Sequence, residues 1–370
     1  MKSASLRGIA IALLLTLLFA AGTPIQAQPS DRPRSSVATD YRVRVNTDLI
    51  VTWAQVRSRK DGAPVPDLGI DDFALREDGQ PQRISLVKEG EPLSVVVLLQ
   101  GAIPCGEWLS LEYSFRRSRE ALRQLGDDAE IALMVWYFDV VPVHPLTRNW
   151  NVIADLLEDR NRLINASHQA GFVVINGELP PTRPGEAVYQ AARYLEKTAS
   201  PGRRKIIIVI SGPTYLVGKT HLHTAAEVKE LLEKTGTTVY GLFQQFGKAR
   251  PESAYSSYNR LLSLFGVRPQ DKKRHGGGTI EEFIEQTGGS NLIGDYRGSD
   301  ELLIELTGLA RSSYTIGYYP ANADFDGRFR RLRIELSPRG QAKAGQVDIK
   351  TRDGYRARGT SLQVASQTPQ

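Results

Sequence analysis

Two hydrophobic rhythms run through this chain, and the change from one to the other marks its organisation. Tyr41, Val43 and Val45 alternate with Arg42, Arg44 and Asn46, the period-two pattern of a half-buried strand, and apolar character continues through Leu49, Val51 and Trp53. Residues 71–77 and a strand around 82–87 flank Asp78-Gly79, a dipeptide that signals a tight hairpin. From Leu93 to about Ala310 strands and helices take turns. Apolar strands are predicted at 95–99, 131–138, 205–211, 237–243 and 291–293, with helices at about 109–125, 152–160, 185–198, 225–235, 280–287 and 300–311. Such alternation builds a mostly parallel sheet with helices on both faces. Gly126, Gly236 and Gly288-Gly289 follow helix ends, where a left-handed residue is needed. Residues 246–278 form an insertion with a helix at 255–265 and a glycine-rich tip.

After Ser312 the strand rhythm returns at 314–319, 329–336 and 347–350. Leu332, Ile334 and Leu336 face one way; Arg331, Arg333 and Glu335 face the other, read as a solvated outer face in preference to a basic binding stripe. The strands before Leu93 and after Ser312 are expected to pair into one β domain, 41–92 with 312–358, around an inserted α/β domain, 93–311. Residues 28–40 read as a flexible leader and 359–370 as a disordered tail.

The N-terminus places Lys2 and Arg7 before an apolar run at 9–21 and then Ile25-Gln26-Ala27, the order of a secretory signal cleaved after Ala27. That run is shorter than the roughly 20 residues of a membrane span. A retained N-terminal anchor is the alternative. The mature chain is therefore expected to be exported, periplasmic, surface-bound or secreted, without stable membrane insertion. The whole chain of 370 residues carries a formal charge of +6, to which Lys2 and Arg7 contribute two. This mild excess is not the concentrated basic surface of a nucleic-acid binder. Cys105 is the single cysteine, which excludes an intramolecular disulfide and a thiolate zinc cluster; an inert cysteine is preferred to a reactive thiol.

The segment Ser94-Val95-Val96-Val97-Leu98-Leu99-Gln100-Gly101-Ala102-Ile103-Pro104 reads as a strand buried on both faces that ends where α/β sheets bind ligands. A Mg²⁺ site there needs carboxylates and hydroxyls. Among Gln100, Gly101, Ala102, Ile103 and Pro104 only one neutral amide is offered.

Together these segments resemble the von Willebrand factor type A related proteins of exported bacterial chains. The resemblance rests on Asp71-Asp72-Phe73 through Glu77-Asp78-Gly79, the strand 94–99, Gly126-Asp127-Asp128-Ala129-Glu130-Ile131-Ala132-Leu133, residues 185–195 and 203–212, and Thr287-Gly288-Gly289. It continues through Ser313-Tyr314-Thr315-Ile316-Gly317-Tyr318-Tyr319-Pro320, Gly327-Arg328-Phe329-Arg330-Arg331 and Asp353-Gly354-Tyr355, so that it spans about 41–357. It implies a Rossmann-like α/β sandwich with a metal-dependent adhesion site at the sheet's carboxyl edge. The family pattern there is Asp-Xaa-Ser-Xaa-Ser, a threonine before a middle helix and an aspartate after a central strand. These positions fall on Gln100, Ala102 and Pro104, near Glu186, and near Gly212, none of which matches. The resemblance thus implies the fold, while these departures from its pattern lead to the expectation of no metal at the usual site and no cofactor.

Other constellations give weaker signals. Gly212-Pro213-Thr214-Tyr215-Leu216-Val217-Gly218-Lys219-Thr220 is close to a phosphate-binding loop, with Asp139 as a Mg²⁺-positioning acid, yet its glycine spacing is one residue too long and Pro213 removes an N–H donor. His221 and His223, with Glu227 four residues on, are polar residues at a helix start before they are a zinc site. Glu186 lies in the first turn of its helix, where a negative charge offsets the dipole. Trp136, Tyr137 and Phe138 read as core, and Trp108 as the aromatic best placed for contact. No arrangement supports catalysis. The expectation is an exported, non-enzymatic interaction or adhesion module that binds an unknown protein partner at Gln100, Ala102, Pro104, Trp108, Glu186, Gly212, Thr214 and Tyr215. Two alternatives stay open: a metal-binding adhesin that uses Asp139 and Glu186, and a phosphate- or nucleotide-binding enzyme built on 212–220.

Overall fold

A computed structural model describes residues 49–101, 115–172, 182–212, 221–245, 277–295 and 298–357. The segments expected as signal, leader and 41–46 strand, most of the expected insertion, the expected tail, and Ala102, Pro104, Cys105, Trp108, Thr214 and Tyr215 lie outside the described residues.

Six strands form the larger sheet: β5 (Leu93–Gln100), β6 (Glu130–Trp136), β7 (Val140–Thr147), β8 (Arg204–Ser211), β9 (Thr238–Gln245) and β10 (Asn291–Asp295), in the order β10-β9-β8-β5-β6-β7. Only the β6–β7 pair is antiparallel. Every residue of β5 is buried, as the apolar run 95–99 at its centre requires. Val95, Val97 and Leu99 point to one core, with α1 (Ser118–Gln124), α2 (Trp150–Glu158), α3 (Arg160–Gln169) and α7 (Ser299–Arg311). Val96 and Leu98 point to the other, with α4 (Pro184–Thr198), α5 (Ala225–Thr235) and α6 (Ile280–Thr287). Trp136 and Tyr137, adjacent in sequence, enter opposite cores.

The expected strand 131–138 stops at Trp136. The chain reverses at Asp139, whose carbonyl accepts the Tyr137 N–H, and returns as β7. Pro142 and Pro145 hide β7 in the sequence, and proline is tolerated there because β7 is an edge strand. The helix α3 is likewise unexpected. Asp159 ends α2 and caps α3, its carboxylate accepting the Arg162 N–H.

Two four-stranded sheets are built from the chain on either side of this unit. One has the order β13 (Val347–Thr351), β1 (Ile50–Ser58), β11 (Tyr314–Tyr318), β4 (Ile84–Glu89); the other has β14 (Gly354–Arg356), β12 (Phe329–Leu336), β2 (Phe73–Glu77), β3 (Gln80–Gln82). Their inner faces share one core that includes Ala54, Leu75, Ile316, Tyr318 and Ile334. Asp78 and Gly79 both have positive φ, 47° and 83°, which makes the β2–β3 turn the tight hairpin expected. A short helix, α8 (Pro338–Ala344), follows β12 with Ser337 as its cap.

The β1 strand is tied to the helix ends beneath the larger sheet. Trp53 Nε1 donates to the Thr287 carbonyl at 3.0 Å, and Gln55 Nε2 donates to the Leu309 carbonyl at 2.9 Å. These bonds satisfy carbonyls that α6 and α7 leave open at their C-termini. Arg352 lies over the Trp53 ring and donates to the Glu233 carbonyl in the last turn of α5.

Candidate functional site

The carboxyl ends of β6, β5 and β8 bring Trp136, Gln100 and Ser211 into adjacent positions on the face that carries α4 and α5. Gln100 is buried, and its Oε1 accepts the Ser211 hydroxyl at 2.6 Å and the Gly212 N–H at 3.1 Å. Two sequence-expected residues, Gln100 and Gly212, are therefore in direct contact. Ser211, unremarked in the sequence, completes the link between neighbouring strands.

Glu186 enters from the first turn of α4 and is 5 % exposed. Its Oε1 accepts from Gln190 Nε2 at 2.9 Å, one helical turn on, and its Oε2 lies 2.8 Å from Nδ1 of His223. The His223 ring stacks on Tyr189, with centroids 3.5 Å apart and planes inclined by 13°. Glu186 therefore does more than offset the helix dipole; it anchors the segment that leads into α5.

His221 and His223 precede α5 and do not lie on it. Glu227 is their neighbour in sequence but belongs to a capping box: Thr224 Oγ1 receives the Glu227 N–H, and Glu227 Oε2 accepts the Thr224 N–H at 2.7 Å. The Thr224 N–H and then the Thr224 hydroxyl, both donating to Oε2, hold the Glu227 carboxyl below its ordinary pKa. Asp139 is exposed in the β6–β7 turn, its N–H donating to the Ala170 carbonyl. Among the described residues no three His, Cys, Asp or Glu gather as a metal site.

Arg183, just before α4, places its guanidinium 3.6 Å from the centre of the Phe138 ring. Gly277 packs against the start of α4 so closely that a Cβ on Gly185 would collide with the Gly277 carbonyl oxygen. Leu222, between the two histidines, is 66 % exposed. Sequence periodicity marks none of these contacts except Glu186–Gln190, whose i, i+4 spacing places both on one helix face.

No protein-family model and no curated protein sequence matches the chain. Among solved structures, the conserved hypothetical protein BatB from Bacteroides thetaiotaomicron is similar at TM-score 0.37 and 17 % identity, covering 60 % of this chain and all of that one. An aerotolerance-related membrane protein from Bacteroides fragilis gives TM-score 0.32 and 14 % identity over 58 % and 98 % of the two chains. The human COPII-coat protein Sec24c gives 0.37 and 7 % over 73 % and 44 %. At these values the likeness says nothing of activity or partner. The chain is a mixed α/β protein with a six-stranded, mostly parallel sheet, eight helices among the described residues, and a polar cluster at the sheet's carboxyl edge.

Proposed function

We propose that this chain is an exported, non-enzymatic interaction module of the von Willebrand factor type A kind, its α/β domain inserted in a β-sandwich, and that it binds a protein partner at the carboxyl edge of the larger sheet without a metal. The observation that carries this reading is the state of Gln100. Its carbonyl oxygen, at the first position of the family's metal motif, is occupied by the Ser211 hydroxyl and the Gly212 N–H. Mg²⁺ and Ca²⁺ take six or more oxygen ligands, carboxylates foremost among the protein's. Gln100 is neutral, Gly212 has no side chain, and the Glu186 carboxylate is held by Gln190 and His223. This donor set does not suit the ion.

The same bond argues against a phosphate loop, because the Gly212 N–H that would open the ring of donors is directed at Gln100. What the edge offers a partner is an exposed leucine, Leu222, beside an imidazole of fixed orientation. A photo-cross-linking amino acid at Leu222 is the test, with one at the exposed Pro201, by the opposite end of the sheet, as its control. Cross-linked partner from Leu222 alone, undiminished in EDTA, is expected. Equal yields at both positions, or a yield that requires Mg²⁺, would overturn the proposal.

A further inference from the structure

On β12 the outward residues are Phe329, Arg331, Arg333 and Glu335, alternating with the buried Arg330, Leu332, Ile334 and Leu336. Arg333 is the direct cross-strand partner of Arg76 on β2, and both are exposed. Like charges directly opposed on an antiparallel ladder destabilise the pair. Neutralisation within the face is incomplete. Arg333 reaches Glu335 at 2.6 Å, and Arg76 donates to the Gly79 carbonyl, a neutral acceptor. No carboxylate among the described residues lies within ion-pair distance of the Arg331 guanidinium. On the same face, beside Arg331, Phe329 is 41 % exposed.

We propose that this outer face is a docking surface for anionic phospholipid headgroups. The Arg76–Arg333 opposition is a cost that an external anion reduces. Arg331 and Arg76, neither ion-paired to a carboxylate among the described residues, present guanidinium donors suited to phosphate oxygens, while Arg333 adds positive charge with its fork turned to Glu335. The exposed phenyl ring suits the boundary between headgroups and acyl chains. The choice of lipid as the anion source rests on the export proposed above, in which the 9–21 run behind Lys2 and Arg7 acts as a secretory signal and takes the chain past a membrane surface. The contact is peripheral and electrostatic, separate from the partner site at the carboxyl edge.

The experiment is co-sedimentation of the full chain with vesicles of phosphatidylcholine alone, and with vesicles containing about a third phosphatidylglycerol. The difference between them separates charge from any insertion by the N-terminal run. Binding should be stronger on the anionic vesicles and fall as salt rises. Each basic residue at an anionic surface contributes roughly fivefold, so Arg76→Gln, Arg331→Gln and Arg333→Gln together should cost on the order of 100-fold. Lys60→Gln, Arg148→Gln and Arg162→Gln, removing the same charge elsewhere, should leave binding near the wild type. The single change Arg76→Glu should raise the melting temperature, by pairing with Arg333, while it weakens vesicle binding. Three results would overturn the proposal: no gain on anionic vesicles, equal loss in both triple variants, or capture of soluble polyglutamate without vesicle binding, which would assign the face to acidic polypeptides.

Discussion

Glu186 and His223, 37 residues apart in sequence, meet at 2.8 Å and fasten the segment before α5 to the first turn of α4. Removing His223 leaves the buried Glu186 carboxylate with its bond from Gln190 alone, and removing Glu186 leaves the half-exposed His223 with its stacking on Tyr189, so the loss of His223 is the costlier. Glu186→Ala and His223→Ala should each lose about 1–2 kcal/mol in urea unfolding. The double variant should lose less than the sum, by about 0.5 kcal/mol or more, as expected for groups in contact. Additive losses would mean that the pair does not hold the edge together.

The junction between β13 and α6 depends on the absence of a side chain. Gly288 has φ +70°, and a Cβ there would run into the backbone of Thr351 and Arg352. Gly288→Ala combines a disfavoured backbone conformation with a collision and should destabilise by about 2 kcal/mol or more. An alanine at Gly236, also left-handed but with open space around it, should cost about 1 kcal/mol. Equilibrium unfolding of the two variants separates crowding from backbone strain.

Glu130, a buried carboxyl held below its ordinary pKa, should contribute to acid sensitivity. Burial pushes its carboxyl up, but hydrogen bonds from Ser94 and from the N–H and hydroxyl of Ser200, with Arg203 nearby, outweigh it and leave the pKa below 4.5. A carboxyl lowered by folding adds stability above its unfolded pKa, which is lost as pH falls through the folded value. Stability should therefore decline below about pH 4.5, and Glu130→Gln should flatten that limb at a cost in stability at pH 7. An unchanged acid limb in the variant would assign the effect elsewhere.

Alkaline behaviour has the opposite sign. Burial and then the Glu77 carboxylate push the Tyr355 phenol up to about 12, and the same two causes raise Tyr318 further. Both hydroxyls donate to Glu77, at 3.1 Å from Tyr355. A group raised above its unfolded value loses its contribution as pH rises past that value, so the β core should weaken above about pH 10. Tyrosinate absorbance should show these two phenols silent until unfolding. Tyr318→Phe should cost about 1–3 kcal/mol, since it removes a donor to a buried carboxylate.

How much of this was legible in sequence depended on whether the signal was local. The helices at 225–235 and 280–287 coincide with their sequence limits because Thr224 and Thr279 cap the starts and Gly236 and Gly288 the ends, all within one turn of the residues concerned. β5 was equally plain from its unbroken apolar run. β7 was not, because Pro142 and Pro145 oppose strand propensity and only its place at the sheet edge admits them. α3 was missed because its sequence, RNRLINASHQ, is largely polar and its start is set by a capping aspartate shared with the helix before. At the site, Gln100 could be placed at a strand end from the run before it. The Glu186–His223 bond and the Arg76–Arg333 opposition could not, since no periodicity reports which distant residues a fold brings together.

The central claim is that the carboxyl edge works without a metal, and thermal unfolding of the chain in EDTA, then in millimolar Mg²⁺, Mn²⁺ or Ca²⁺, tests it most directly. An ion present at 100 times its Kd and bound only to the folded state would add about 2.7 kcal/mol and raise the melting temperature by a few degrees. Coincident curves in all four conditions are expected. A saturable rise that Glu186→Gln abolishes would contradict the claim and make the edge a metal site built on different ligands.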